Sequence, residues 1–579
     1  MVNGIPIYRV ELGEGLVRQE TSAGNIFAYC IEANKGPVGE PILITSNQEA
    51  KRVFGINFAP HFYQKGAPIY ICRVGFPEMQ SPSITYKAKV SASGNDTIDV
   101  VKITATTPGT AQHKVNIVKS PTSNKAYNLT ITIDGVGSKK YQNVSSLANV
   151  VKRINSKFAD YLVAELLFDE EKAMALEATQ SLVKNKETNA VSVELTSAVD
   201  SETEDILCSG TFDATRLQRN QSNGVVQTEL TGGSNGKLRK TDGTISNIEI
   251  PSTGIRDVPP SSVGTNDNDP NIDATLLYAY REAFEVLENK DIFGVATLSN
   301  SEVVQNELTE HINKLIDPEV YKYRMGVTGL LDYPDKDSNG VINASGDLSI
   351  TDLASAATHI DNPFMVMIGQ GVVFEEDGVK YNLLPHEAVQ LYTGLRSALN
   401  YGEAIYGGNA KKVLIGVKDI LPLVTDGSDI VKEDIESINK AGLITFKKEY
   451  EEITFLEGVT TAQDSPVLSH ESVMMIVLHV LKRLVRVSKP FHGEPVTEDL
   501  KSSLINALND ELKNITDTDK TLKALENYNI PPYAVTVEAI VVAGFNEAGD
   551  YIRETHYLVT VKIVPIGTLR SITLSVIVI

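Results

Sequence analysis

The apolar positions of this chain change period several times, and each change marks a different kind of unit. In residues 1–23 the segment GIPIYRVELG sets Ile5, Ile7, Tyr8 and Val10 among polar neighbours, while Pro6 and the glycines at 4, 13 and 15 keep it off any central strand. It predicts an extended N-terminal arm, too short and polar to bury itself. Residues 24–81 are denser. NIFAYCIEA predicts a strand, NKGPVGEP a turn and ILIT a second strand. SNQEAKRVFG predicts a helix with Ser46 or Asn47 as N-cap and Gly55 at its end. PIYICRV (68–74) is an apolar, β-branched run suited to a buried strand.

Residues 82–231 change character. TYKAKVSA, TIDVVKITA, KVNIVK, YNLTITI, VSVEL and VVQTEL predict short strands, separated by turn signals such as SGND, TPGT and IDGVG. One helix interrupts them, with Leu147, Val150, Val151, Ile154 and Phe158 at helical spacing. The pattern predicts a self-contained β-rich domain inserted after the strand at 68–74.

After a polar linker at 240–270, helical and strand patterns alternate through residue 470, predicting an α/β layer on a largely parallel sheet. The final unit, 471–567, opens with ESVMMIVLHVLKRLVRV, apolar nearly all round and so a buried helix. A second helix follows with Thr497 as N-cap, and then strands. Residues 568–579 form a C-terminal arm. Its RSITLSVIVI alternates cleanly, with Ile572, Leu574, Val576 and Val578 on one face. No fixed-period repeat is present.

Charge is unevenly spread. Of a net −21, residues 1–90 carry +2 and residues 471–579 carry −2, so the middle holds the whole excess. Near-neutral ends can approach other copies of the chain without the repulsion an acidic surface creates. The pI near 5.0 argues against nucleic acid as a partner. Three scattered cysteines, Cys30, Cys72 and Cys208, make no disulfide framework. The most apolar stretch, 472–481, runs into Lys482 and Arg483, short of the roughly 20 residues of a membrane span. The first 30 residues lack a signal-peptide pattern, so the expected setting is intracellular.

The last strand carries no charged or proline gatekeeper, so an unpaired edge there would be an aggregation hazard. Two readings follow. It is the edge of its own sheet, or it completes the sheet of a neighbouring copy. Burying four such side chains in the second case would stabilise the contact by roughly 6–10 kcal/mol before entropy costs. A head-to-tail contact of that kind propagates into rings or helical filaments.

The run NIFAYCIEANKGPVGEPILITSNQEAKRVFG…QKGAPIYICRVG resembles the start of the contractile-tail sheath proteins of bacteriophages. LTGGSNG (230–236), HGEP (492–495) and VKIVPIGTLRSITLSVIV resemble later family segments in the same order. The resemblance implies a multidomain α/β and α+β fold: an α/β core described as subtilisin-like (232–470, with 24–81), an α+β C-terminal domain (471–567) and an inserted β-rich protruding domain (82–231). Extended N- and C-terminal strand arms would complete it. It further implies a structural, non-enzymatic subunit without cofactors, assembled in host cytoplasm and housed in the virion tail. Copies would form six-fold rings stacked helically around a tail tube protein, flanked by baseplate and tail terminator proteins, with no membrane contact by this chain. The arms, through Ile5, Ile7, Tyr8 and Val10 and through Ile572, Leu574, Val576 and Val578, would add strands to adjacent copies, with glycines at 13, 15, 24 and 567 as hinges. On triggering, the stack would shorten and drive the tube through the host envelope.

Competing chemistry is sparse. Gly232-Gly233-Ser234-Asn235-Gly236 fits G-x-S-x-G, yet KLRKTDGT after it predicts no helix, so a glycine-rich joint is the simpler reading. Asp291 and His311 precede no matching serine, and His311 reads as a surface residue of an amphipathic helix. Asp335, Asp337 and Asn339 open a calcium-loop pattern, but Gly346 stands at its twelfth position in place of a bidentate Glu. Lys482, Arg483, Arg486 and Lys489 cluster late in a helix. They either answer its negative end or face an acidic tail tube. Three other functions compete with a phage sheath: the sheath of a headless phage-tail-like bacteriocin, a serine hydrolase acting through Ser234, and a surface adhesin.

Overall fold

A computed structural model describes the chain apart from residues 1–25, 219–220, 223–224, 227, 253–254, 256–269, 317–319, 321, 332–349, 408–411, 422–423, 426–427, 430–431, 463–467, 493, 525–528, 546–550, 566–571 and 579. At its centre is a seven-stranded sheet. Its strands are β1 (Phe27–Ile31), β2 (Ile42–Ile44), β3 (Ile69–Arg73), β4 (Gly294–Thr297), β5 (Met325–Gly329), β6 (Met365–Ile368) and β7 (Leu443–Ile444). The spatial order is β2-β3-β1-β4-β5-β6-β7. All neighbours pair in parallel except β2, which runs antiparallel on the outside of β3.

Every residue of β1 is buried, as expected of a parallel strand covered on both faces. Its period of two divides the layers. Ala28 and Cys30 pack with α1 (Pro270–Leu287) and α2 (Glu302–Ile316) through Leu276, Phe284 and Leu308. Phe27, Tyr29 and Ile31 pack with α3 (Pro385–Ala398) and α4 (Glu471–Ser488) through Val389, Tyr392 and Met475. The predicted α/β alternation is therefore present, with helices on both faces of the sheet.

Between β3 and β4 the chain builds three separate three-stranded antiparallel sheets, from residues 83–166, 114–144 and 180–209. Strands Lys114–Lys119 and Tyr127–Ile133 alternate buried and half-exposed positions, and their inward residues join a cluster of their own. Helix Leu147–Lys157 closes that cluster with Leu147, Val150 and Ile154 and is capped by Ser146, whose Oγ accepts from the Asn149 amide at 3.1 Å. VVQTEL is shorter than its pattern suggests. Among its described residues Val225–Val226 is the strand, and the chain then passes from Lys114 to Ser83 through isolated bridges at Glu229 and Thr231.

The last unit lays α5 (Glu498–Asn514) across an antiparallel sheet. Thr497 caps α5 by accepting from the Leu500 amide at 3.1 Å. Leu504, Leu508 and Leu512, one turn apart, meet Val537, Val559 and Val561 of the sheet. The sheet consists of β8 (Tyr533–Phe545), β9 (Tyr551–Ile563) and β10 (Ile572–Val578), in that order. β8 and β9 pair over thirteen positions, from Tyr533↔Ile563 to Phe545↔Tyr551.

A buried ionic cluster joins this unit to the central one. Glu471 at the start of α4 accepts from the Tyr392 hydroxyl at 2.9 Å and lies 3.5 Å from the Arg396 guanidinium, both on α3. Arg396 also donates to the Glu403 carbonyl at 2.6 Å and to that of Asn400. Burial raises the Glu471 carboxyl, against the opposing pull of Arg396 and Tyr392. Removing either partner would leave an uncompensated charge in the core, a loss of about 3–5 kcal/mol.

His311 corrects its expected surface position. It is buried, stacks on Phe284 with ring centroids 5.3 Å apart, and leaves Nε2 without a hydrogen bond. The face of α2 that carries it is covered by α1. Burial, and secondarily Arg324, pulls its pKa down to about 3. His61 is also enclosed, with Nε2–H donating to the Ala67 carbonyl at 2.8 Å and Nδ1 facing the Thr393 hydroxyl at 3.1 Å, and burial pulls it down to about 4. In both, the unfolded chain takes up a proton at higher pH than the folded one. Their contribution to stability is complete above about pH 6.5 and is lost as pH falls toward the folded values. Replacing His311 with Phe preserves the stack and removes the titration. We expect urea denaturation at pH 7.5 and 5.0 to show the parent losing about 2 kcal/mol more than His311→Phe. Equal losses would refute the assignment.

Candidate functional site

Two regions carry the geometry relevant to function: the open sheet of the last unit and the joint where the inserted sheets meet the central one. In the sheet, β10 pairs antiparallel with β9 of the same chain, setting Ile572, Leu574, Val576 and Val578 opposite Ile563, Val561, Val559 and Tyr557. The opposing β9 residues are buried against α5, and the Tyr557 hydroxyl donates to the Thr497 carbonyl at 2.5 Å. Of the two sequence readings of the terminal strand, the single chain realises the edge of its own sheet. Among the described residues no strand pairs with the outer side of β8 or of β10. Both edges thus offer backbone donors and acceptors to a further strand. Ile5, Ile7, Tyr8 and Val10 lie outside the described residues.

The basic cluster divides. Lys482 donates to the Ile292 carbonyl at 2.7 Å and pairs with Asp291 at 3.1 Å; burial lowers its pKa, against the pull of Asp291. Arg483 pairs with Glu511 of α5 and lies 3.9 Å from Asp519. These two cations are therefore engaged within the chain, with acceptors that come from other elements. Arg486 and Lys489 are exposed, with Arg486 in a loose 3.7 Å pairing to Asp291. Sequence spacing could not separate them, because Asp291 and Glu511 arrive from elsewhere in the chain.

At the joint, the outgoing and returning chains form a short two-stranded neck. Gln80 exchanges backbone hydrogen bonds with Ser234 at 3.1 and 3.0 Å, and Ser83 with Thr231 at 2.8 and 2.9 Å. The Ser234 hydroxyl accepts from the Gly236 amide at 3.0 Å. Ser234 thus sits in a ladder followed by strand Lys237–Arg239, without the helix a nucleophile elbow requires. The neck packs so closely that a Cβ on Gly233 would lie 2.0 Å from the Gly109 carbonyl oxygen, and one on Gly109 would lie 2.1 Å from that of Asn34. Gly109 also needs its positive φ of 127°.

Two buried cations, neither anticipated from the sequence, pin the insertion to the central sheet. Lys35 follows β1 and reaches the carbonyl of Asp134 at 2.9 Å and its carboxylate at 3.3 Å. Arg73 ends β3, donating to Gly36 O at 2.8 Å and Pro108 O at 2.6 Å, and burial draws its pKa down to about 10. A charge closing the apolar run IYIC was the available signal. Asp335, Asp337 and Asn339 lie outside the described residues. Among those described, no group of three or more His, Cys, Asp or Glu side chains is placed to hold a metal, and no helix is long and apolar enough to cross a membrane.

The split of the basic cluster is testable. Arg483→Leu strands the half-buried Glu511 and should cost about 1–3 kcal/mol, whereas Arg486→Ala and Lys489→Ala should change stability by no more than about 0.5 kcal/mol. Denaturant midpoints of the three variants check this; equal effects would contradict the pairing.

The sequence matches no family model and no curated protein. The structure is similar to the crystal structure of a sheath tail protein from Desulfitobacterium hafniense, with a TM-score of 0.55 and 12% identity over 99% of each chain. A sheath tail protein from Listeria innocua aligns at a TM-score of 0.48 and 11% identity, over 96% of this chain and 94% of that one. A chain of the anti-feeding prophage baseplate aligns at 0.34 and 12%, over 51% and 71%. The chain has the tail sheath fold.

Proposed function

We propose that this chain is the structural subunit of a contractile tail sheath. The observation that carries the reading is end-to-end similarity to a sheath tail protein, over 99% of both chains. The α/β unit with helices on both faces suits the subtilisin-like core expected for such proteins, and the inserted sheets suit a protruding domain. In the proposed assembly, copies stack as six-fold rings around a tail tube, between baseplate and terminator proteins. Contraction drives the tube through the host envelope. The particle is a virion tail built in host cytoplasm; a headless tail-like bacteriocin would use the same subunit.

Three features support the mechanism. The buried Glu471–Arg396 pair and the Lys35 and Arg73 contacts let each copy move as a rigid body. The open edges of β8 and β10 can accept strands from neighbours. Among the described residues the terminal strand pairs along β9 alone, so it can be exchanged for the same strand of another copy, with the N-terminal arm adding a second link. Arg486 and Lys489 are then the cations available to an acidic tube surface.

Negative-stain microscopy of the purified chain should show rings or tubes. Removing residues 569–579 should abolish polymers while circular dichroism and the thermal midpoint stay near those of the parent. Charge reversal at Arg486 and Lys489 should weaken assembly on a tube without weakening self-assembly. Discrete monomers that react with a serine-directed fluorophosphonate would overturn the sheath reading in favour of a hydrolase.

A further inference from the structure

The inserted unit carries a cavity of its own, where the turn of one sheet meets one end of another. On one side is the turn at 91–93, which joins strands Ser83–Lys89 and Thr97–Ala105. On the other are three segments at a single end of the sheet from 180–209. They are 178–179 before strand Gln180–Asn185, 196–197 after strand Val191–Leu195, and 209–211 at the close of strand Glu204–Ser209. The cavity measures about 520 Å³, within the roughly 300–1,000 Å³ of small-ligand clefts. Arg216, at the end of the short helical turn Ala214–Arg216, lines its buried side.

Arg216 is 6% exposed, and none of the residues lining the cavity is acidic. Its Nη1 donates to the Val90 carbonyl at 3.0 Å and to Cys208 Sγ at 3.1 Å, and its Nη2 to the Ser209 carbonyl at 2.8 Å. Cys208 is no counter-charge. Its Sγ donates to the Gly210 carbonyl at 3.5 Å and so keeps its proton, and burial raises the thiol against the pull of Arg216. Three of the five guanidinium N–H donors are thereby used. Among the described residues Nε–H and one N–H of Nη2 find no acceptor, and the charge finds no carboxylate. A buried charge is ordinarily paired, so this one marks a place for a missing anion. Arg73 is sealed at 0% exposure, whereas Arg216 borders open space that an anion can enter.

The rest of the wall indicates what carries the anion. Ser93, Thr179 and Ser197 are exposed along it, and among the described residues their hydroxyls bond no protein group. Ala92 and Ala178 add small apolar area between them. A hydroxyl both donates and accepts, which suits the hydroxyls of a sugar or polyol. A guanidinium repels a cation and holds the oxygens of a phosphate or sulfate through charge-assisted hydrogen bonds. A bare oxyanion would fill only part of the space. We propose that this cavity binds a phosphate or sulfate monoester of a sugar or polyol, its ester oxygens on Arg216 and its hydroxyls on Ser93, Thr179 and Ser197. The occupant supplies the counter-charge that the fold omits and ties the turn at 91–93 to the neighbouring sheet.

Isothermal titration of the full chain tests this, below its polymerisation concentration, at constant ionic strength and in a buffer free of phosphate and sulfate. The probes are glucose 6-phosphate and glucose 6-sulfate, with inorganic phosphate and glucose as the two halves of the ligand. Saturable binding of at least one ester is expected, at least tenfold tighter than inorganic phosphate, with none of glucose; the preferred ester identifies the oxyanion. Arg216→Gln should weaken binding at least tenfold. Thr179→Glu, which sets a competing carboxylate in the exposed wall, should do the same and serves if the first variant folds poorly. No saturable binding of either ester, equal binding of glucose, inorganic phosphate bound as tightly as the esters, or affinities unmoved by both variants would overturn the proposal. The readout is taken on unassembled protein, so its failure would leave the sheath reading untouched.

Discussion

The constraint on which the rest of the molecule depends is the position of β1 between β3 and β4. Its neighbours come from opposite sides of the insertion: Cys30 pairs with Cys72, Phe27 with Gly294. Because a parallel strand buried on both faces has no tolerance for an open edge, the chain leaving β3 must return to within a strand's width of where it left. The insertion is thereby forced to have adjacent ends, and the ladder at Gln80–Ser234 and Ser83–Thr231 is the consequence. Gly109 and Gly233 allow backbones to cross where a side chain would clash.

The second constraint is how the units are joined. Beside the apolar packing of α4 on β1 and the backbone ladder of the neck, buried charges meet fixed acceptors at these connections: Arg396 on Glu471, Arg73 on two carbonyls, Lys35 on Asp134. Such contacts are directional. They resist sliding, because a displaced cation would be left buried and unpaired, and this costs more than the intact pair contributes. Apolar interfaces, by contrast, can repack at small cost.

Much of this architecture could be read from periodicity. The strand at 27–31, the alternation of helix and strand from 270 to 470, the β-rich character of 82–231 and the caps at Ser46 and Thr497 all rest on local patterns that tertiary packing does not overrule. What could not be read depends on residues distant in the chain. His311 looks like one polar position on an amphipathic face until α1 covers it. Lys482 and Arg483 look like a free basic patch until Asp291 and Glu511 arrive. Lys35 and Arg73 carry no local signal beyond a charge set next to an apolar run, and Asn235 acquires its orphaned oxygen only when the neck closes around it.

The terminal strand shows why home pairing and exchange are not rival structures. The seven register pairs between β9 and β10 would be the same whether β10 belongs to this chain or to another copy. The backbone hydrogen bonds and cross-strand contacts therefore cancel between the two states, and the balance rests on concentration. A short linker gives the home strand an effective concentration in the millimolar range, so dilute copies close on themselves. Once copies are held side by side at comparable local concentration, that advantage disappears, and any additional contact between them favours exchange. Under the proposed assembly, a subunit can remain soluble alone and become firmly linked in a ring without a change in fold or a covalent step.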